Sequence, residues 1–192
     1  MSIILTGTAT GQAGPFVDDG WAGSGDGWSA EMLPTAGPYE SARAIVTPAF
    51  LIPTASFAGT VYVDIPLPEL PDNVQSITLE SITLDGTLLT WNPYNSQATK
   101  AATGQIKYGT VDKGASFELP TETGQIVTIT DVGTWTMAEI IADALRVYFN
   151  CSITSTVQEG SAVALIDRGT IKATWSYTYS APLLGDPVII GG

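Results

Sequence analysis

Asp18, Asp19 and Asp26 fall within a glycine-rich stretch, Val17-Asp-Asp-Gly-Trp-Ala-Gly-Ser-Gly-Asp-Gly27. They are the first residues whose type and spacing suggest chemistry, because hard cations are held by carboxylate and carbonyl oxygens. The spacing matches neither the EF-hand loop nor a Gly-Gly-x-Gly-x-Asp repeat. Aspartate and glycine at this density also serve an ordinary surface turn. The expectation is no bound metal and no cofactor, with these three aspartates as the calcium candidates.

Most other site chemistry is closed off by residue counts. The chain has no histidine and one cysteine, Cys151, so a histidine base for a nucleophile and a Cys/His zinc site are both excluded. One cysteine also forbids an internal disulfide, and Cys151 reads as a buried small hydrophobe. No Gly-x-x-x-x-Gly-Lys-Ser/Thr cradle occurs, and no dinucleotide-binding glycine motif sits between a strand and a helix. Two acids meeting across a groove would serve a glycosidase, but most acids here stand near predicted turns. The expectation is a protein that is not an enzyme.

Aromatic side chains supply a different chemistry, since their faces stack on sugar rings and their edges anchor interfaces. Trp21, Trp28, Trp91 and Tyr94 lie in or beside predicted loops and are candidate interaction residues; each tryptophan of this set is either a packing anchor or a contact residue. Trp135 and Trp175 read as core. Leu183, Leu184, Ile189 and Ile190, with Val188, are apolar groups after the last predicted strand, and the hydrophobic effect requires a partner surface for them.

With 7 basic and 19 acidic residues the net charge is −12. Such a surface repels phosphate, so neither nucleic acid nor an anionic membrane is an expected partner. The opening Met1-Ser-Ile-Ile-Leu lacks the basic start and apolar length of a secretion signal. Apolar runs elsewhere are broken by proline or glycine. A soluble protein made in a cytoplasm is expected, and the Asn150-Cys-Ser glycosylation triplet is then fortuitous.

The elements that must position these residues are strands. Glycine and proline number 20 and 12, and such breakers favour short strands with turns. In Gly169–Ser180 the residues Ile171, Ala173, Trp175, Tyr177 and Tyr179 share one face, while Lys172, Thr174, Ser176, Thr178 and Ser180 share the other. A strand with so large an apolar face needs a whole facing layer. Val61, Val63 and Ile65 mark another strand, closed by Pro66, Pro68 and Pro71. Ser76-Ile-Thr-Leu-Glu80 is echoed by Ser81-Ile-Thr-Leu-Asp85, which sets Ile77 and Leu79 out of phase with Ile82 and Leu84. A β-bulge near Glu80–Ser81, or a turn there, would repair the phase, and Asp85-Gly86 signals a hairpin.

Residues 91–104 read as a loop. Strands are expected at Ser41–Val46, Gln105–Tyr108, Ser116–Leu119, Gln125–Thr130 (buried on both faces at its middle), Leu145–Ile153 and Ala162–Asp167. Thr136 with Glu139 is a capping box for one short helix near 136–144, with Ile140, Ile141 and Ala144 toward the sheet. The sum is an all-β antiparallel sandwich of jelly-roll or related topology. Residues 1–40 are expected as an extended arm and Gly/Asp-rich segment, although the loose alternation of residues 1–10 fits a strand as well; 41–180 are expected as the sandwich and 181–192 as a docking tail.

Three stretches carry a resemblance: Val17-Asp-Asp-Gly with Gly27-Trp28, Phe50-Leu-Ile-Pro53 with Ala58-Gly-Thr-Val-Tyr-Val63, and Gly133-Thr-Trp-Thr-Met-Ala-Glu-Ile140 with Leu145-Arg-Val-Tyr-Phe149 and Ile166-Asp-Arg-Gly-Thr-Ile-Lys-Ala-Thr-Trp-Ser-Tyr-Thr-Tyr179. Together they resemble β-sandwich structural proteins of tailed bacteriophage virions. The resemblance implies a non-enzymatic capsid decoration, head-fibre, collar or tail component, made in the host cytoplasm and found in the virion. Its partners would be copies of itself and other virion proteins. The alternative is a carbohydrate-binding or adhesin-type sandwich that binds surface glycans.

Overall fold

The alternation around Trp175 persists in the computed structural model, where Ile171, Ala173 and Trp175 are buried and Lys172 is exposed. The structure describes residues 2–33, 41–48, 54–85, 88–91, 98–119, 125–142, 144–156 and 161–182. Among these the chain forms β1 (Ser2–Gln12), β2 (Phe16–Asp18), β3 (Gly23–Gly25), β4 (Trp28–Leu33), β5 (Ser41–Val46), β6 (Ala55–Asp64), β7 (Val74–Asp85), β8 (Leu88–Trp91), β9 (Thr99–Tyr108) and β10 (Val111–Glu118). There follow β11 (Ile126–Ile129), the short helix α1 (Met137–Ile141), β12 (Leu145–Ser155), β13 (Ala162–Asp167) and β14 (Thr170–Pro182).

Every pairing is antiparallel. The first sheet runs β1-β14-β7-β11, the second β10-β9-β12-β6-β2 and the third β3-β4-β5-β13-β8. β13 passes into β14 through Arg168 and Gly169, whose φ of +57° suits glycine. β7 and β8 likewise belong to different sheets, so the chain crosses between the first and third sheets at two places. The second sheet packs against both. Its β6 and β12 pack on β4, β5 and β13, and at the other end Ile65 and Leu145 meet Leu79 and Trp175 around Ile140 of α1. The protein is an all-β antiparallel sandwich with one short helix.

The out-of-phase echo is resolved inside one continuous strand. Ser81 pairs with Thr174 and Leu79 with Trp175, leaving Glu80 as an extra residue in β7. Across this β-bulge Ile77, Leu79, Ile82 and Leu84 are all buried. Ser176 Oγ donates a hydrogen bond to the Glu80 carboxylate on the outer face. The capping box is equally as expected: Glu139 N–H donates to Thr136 Oγ1 at 3.2 Å and Thr136 N–H to Glu139 Oε2 at 2.8 Å.

Several expectations are corrected. Residues 2–33 are no arm: β1 pairs with β14 along its whole length, β2 joins the second sheet, and β3 with β4 joins the third. The boundary expected at 40/41 therefore cuts through paired sheets. Residues 99–104, expected as loop, belong to β9, which pairs with β12 over its full length. β8 pairs with β13 instead of folding back on β7, because the strands here cross from one sheet to the other; Gly86 lies outside the described residues. β11 borders its sheet and leaves Ile126 62% exposed, and Ile141 is 55% exposed because a helix this short turns only Ile140 inward.

Deleting Glu80 would leave Ile77-Thr-Leu-Ser-Ile-Thr-Leu84 in unbroken alternation, with Ile77, Leu79, Ile82 and Leu84 still on one face and the bulge removed. The deletion should therefore keep the fold and shift stability by no more than about 1–2 kcal/mol in urea denaturation, whereas Leu79→Ala, which empties a core site, should remove about 2–5 kcal/mol. Glu80→Ala keeps the bulge and should stay within about 1 kcal/mol of wild type.

Candidate functional site

On the outer face of the second sheet, register fixes which side chains meet. Thr103 of β9, Asn150 of β12 and Thr60 of β6 lie in one row; Ala101, Ser152 and Ala58 lie in the next. Asp19 N–H donates to Thr60 O at 3.1 Å, which brings Asp19 and Gly20 to the end of the first row. These small residues leave an open groove of about 360 Å³. Thr60 Oγ1 donates to Asn150 Oδ1 at 2.9 Å, so the floor is a held array of hydroxyl and amide groups. Such a surface can hydrogen-bond a small polar ligand. Cys151 contributes its backbone only: its side chain is buried inward, and burial pushes its thiol up to about 12, so it stays protonated and inert.

Beyond this groove, Tyr62 and Tyr148 stack with centroids 4.9 Å apart. The Arg146 guanidinium lies 4.6 Å from the Tyr62 centroid and the Lys107 ammonium 4.8 Å from that of Tyr148. Arg146 Nε donates to Asp64 at 2.9 Å, which raises its already high pKa, and Lys107 pairs with Asp112 at 3.1 Å. The rings are thus capped by cations that are themselves tied down. Sequence reading missed this pair, although the outward positions of Thr60-Val-Tyr-Val and of Leu145-Arg-Val-Tyr-Phe-Asn carry it.

The calcium candidates are not gathered. Asp18 Oδ1 accepts the backbone N–H of Trp21 at 2.7 Å and of Ala22 at 3.3 Å, closing a turn. Asp19 borders the groove, and Asp26 is exposed in the turn between β3 and β4. Among the described residues no group of three or more His, Cys, Asp or Glu is placed to share a metal. Trp21 is corrected from interaction candidate to core: it is fully buried, its Nε1–H donates to Arg43 O at 3.1 Å, and its ring meets Phe57 edge-on at 5.2 Å. Trp28 is half-buried, its ring centroid 5.3 Å from that of Phe57. The backbone of Trp91 pairs with Ala164; its side chain, Tyr94, Leu183, Leu184, Ile189 and Ile190 lie outside the described residues.

Comparison with protein-family models and with curated proteins finds no match. Among solved structures, the carbohydrate-binding module TmCBM61 in complex with β-1,4-galactotriose aligns over 80% of this chain and 88% of its own, at 11% identity and a TM-score of 0.24. A likeness that low carries no inference about a ligand.

A second surface lies at one side of the first sheet. β1 and β14, neighbours at one side of the first sheet, contain no aspartate or glutamate, in a chain that has 19. β1 pairs with β14 alone in its sheet, so its other edge is unpaired among the described residues. Ile3, Ile4 and Leu5 are 41%, 63% and 36% exposed there. On the outer face Thr6, Thr8, Ser76, Thr78, Ser176 and Thr178 form a carpet of hydroxyls, with Ser76 and Thr178 2.6 Å apart.

α1 is clamped from β10: Lys113 Nζ donates to Glu139 Oε1 at 2.8 Å and to Thr134 O at 3.0 Å, and lies 5.2 Å from the Trp135 ring centroid. Chiefly through the Lys113 bond, the Glu139 carboxyl is held at about 2, below its ordinary 4.5. Because the folded pKa is the lower one, the stabilisation is full above the unfolded value and is lost as pH falls through the folded value. The melting-temperature gap between wild type and Glu139→Gln should therefore be constant above about pH 5 and close as pH falls toward about 2. Trp21→Ala should lower stability to denaturant by about 3–5 kcal/mol, the cost of an emptied core site; a change below about 1 kcal/mol would place the ring outside the core.

Proposed function

We propose that this protein is a non-enzymatic structural component of a tailed-bacteriophage virion, acting through assembly contacts with copies of itself and with other virion proteins. The observation that supports assembly is the acid-free edge of β1, unpaired among the described residues, with Ile3, Ile4 and Leu5 exposed. Proteins that remain monomeric blunt such edges with lysine, proline, a bulge or an inward charge. β1 has none of these, and its pairing with β14 runs from Ser2 to Gln12 without a register shift. The virion setting, as decoration, fibre, collar or tail component, comes from the sequence resemblance, and synthesis in the host cytoplasm goes with it.

The groove on the second sheet favours a second reading, a module that binds surface glycans. Its volume and its hydroxyl and amide floor suit a saccharide, while the cation-capped tyrosines offer no open ring face.

Light scattering of the purified chain and co-sedimentation with empty phage capsids test the first reading. A defined oligomer, or sedimentation with the particles, is the expected outcome. A monomer that leaves particles unbound, yet binds a glycan array and loses that binding in a folded Asn150→Ala variant, would replace the structural reading with the second.

A further inference from the structure

We propose that the free edge of β1 pairs with β1 of a second copy, antiparallel about a twofold axis, fusing two four-stranded first sheets into one continuous sheet. This rests on the assembly reading above and names the partner and the contact.

The ladder geometry says which groups are available. Ala13 N–H donates to Ile171 O at 2.9 Å, in register with the β1–β14 pairs, so residue 13 exchanges its bonds with β14. Antiparallel ladders alternate, so odd residues of β1 face β14. The even residues Ser2, Ile4, Thr6, Thr8, Thr10 and Gln12 then point their N–H and C=O groups at the open edge. Each polar group left without a protein partner depends on water, and a second strand supplies partners for the whole row at once.

Three observations favour a second copy as the occupant. A chain of net charge −12 repels its own kind least where acids are absent, and neither β1 nor β14 carries one. An unbulged strand presents a straight row of donors and acceptors, which is what a twofold contact between identical strands requires. The apolar run Ile3-Ile4-Leu5 is self-complementary: with the axis at Ile4, even residues oppose even residues, Ile4 meets Ile4 and Ile3 meets Leu5, so the exposed side chains of the two copies cover one another. A register opposing even to odd residues would set bonded groups against free ones and is excluded.

The test uses the full chain. Multi-angle light scattering should give twice the 20.1 kDa chain mass. Hydrogen exchange should show the amides of Ile4, Thr6 and Thr8 protected, with protection lost on dilution. Thr6→Pro removes an outward donor and leaves the β14 ladder whole, so it should yield a folded monomer by mass and by circular dichroism. Ile4→Lys, which puts a charge at the contact without touching the backbone, serves if the proline variant does not fold.

A monomer whose even amides exchange freely at all concentrations overturns the proposal. An oligomer that survives both substitutions with those amides unprotected also overturns it, while leaving the assembly reading intact through another surface. Even amides protected in a concentration-independent monomer, and released by truncation after Pro182, would assign the edge to the chain's own following segment and overturn it too.

Discussion

One inserted residue holds the two halves of this sandwich in phase. β7 must present apolar side chains to the core at both ends, opposite Trp175 at one and toward β11 at the other, yet its two five-residue copies are offset by an odd number. Glu80, standing outside the ladder, absorbs that offset. A bulge also increases local twist, and β7 is one of the two strands that lead from the first sheet toward the third. The seating of α1 on β7 and the packing of Trp175 against Leu79 both rest on β7 keeping one face buried on either side of the bulge.

Aromatic rings lying over glycines thicken the layers where no helix does so. The Tyr177 ring covers Gly7, Phe117 covers Gly104, Trp28 covers Gly25, and Trp175 lies over Gly11, in each case so closely that a Cβ on the glycine would fall within 3 Å of ring atoms. Three of these are direct cross-strand partners, Gly7 with Tyr177, Gly25 with Trp28 and Gly104 with Phe117. A ring laid on a bare stretch of neighbouring backbone buries its area without needing a deep facing layer. The consequence for function is spatial. Beside the Tyr62–Tyr148 pair, the grooves on the outer faces are lined chiefly by threonine, serine, alanine and glycine, and they are shallow.

Where a strand had one buried and one wet face, its sequence announced it: β6, β7, β12 and β14 were legible residue by residue, and so were the bulge and the Thr136 capping box. The misses share a cause. β2 and β3 are three residues long, too short to show any period, and they were hidden among turn-forming glycines and aspartates. Residues 99–104, Thr-Lys-Ala-Ala-Thr-Gly, hold no large apolar side chain and show no period of two, which reads as polar loop unless the neighbouring strands are known. Asp85-Gly86 reports a local reversal but not which sheet receives the chain afterwards. The site was less legible still. Trp21 and Asp18 looked like a binding loop because tryptophan and aspartate are recognition residues by type, whereas here one fills the core and the other closes the turn that carries it. The lack of acids in residues 2–12 and 170–182 is visible in the sequence, but it means something only once topology makes these segments adjacent and leaves one at an edge.

That adjacency bears on why an unguarded edge need not lead to indiscriminate aggregation. Strand edges are dangerous because backbone pairing is nonspecific, and this chain offsets the danger with charge placed elsewhere. At physiological ionic strength a charge is felt over about 8 Å, so acids on the surrounding strands oppose approaches that bring other faces together and leave an acid-free approach along β1 unopposed. Glu80 sits one strand further in than β14 and is hydrogen-bonded to Ser176, which keeps the nearest bulge carboxylate turned to its own sheet. On the proposed reading, the acidity of the chain and the absence of acids from β1 and β14 act together: repulsion disfavours other orientations, and the open ladder supplies the attraction within this one.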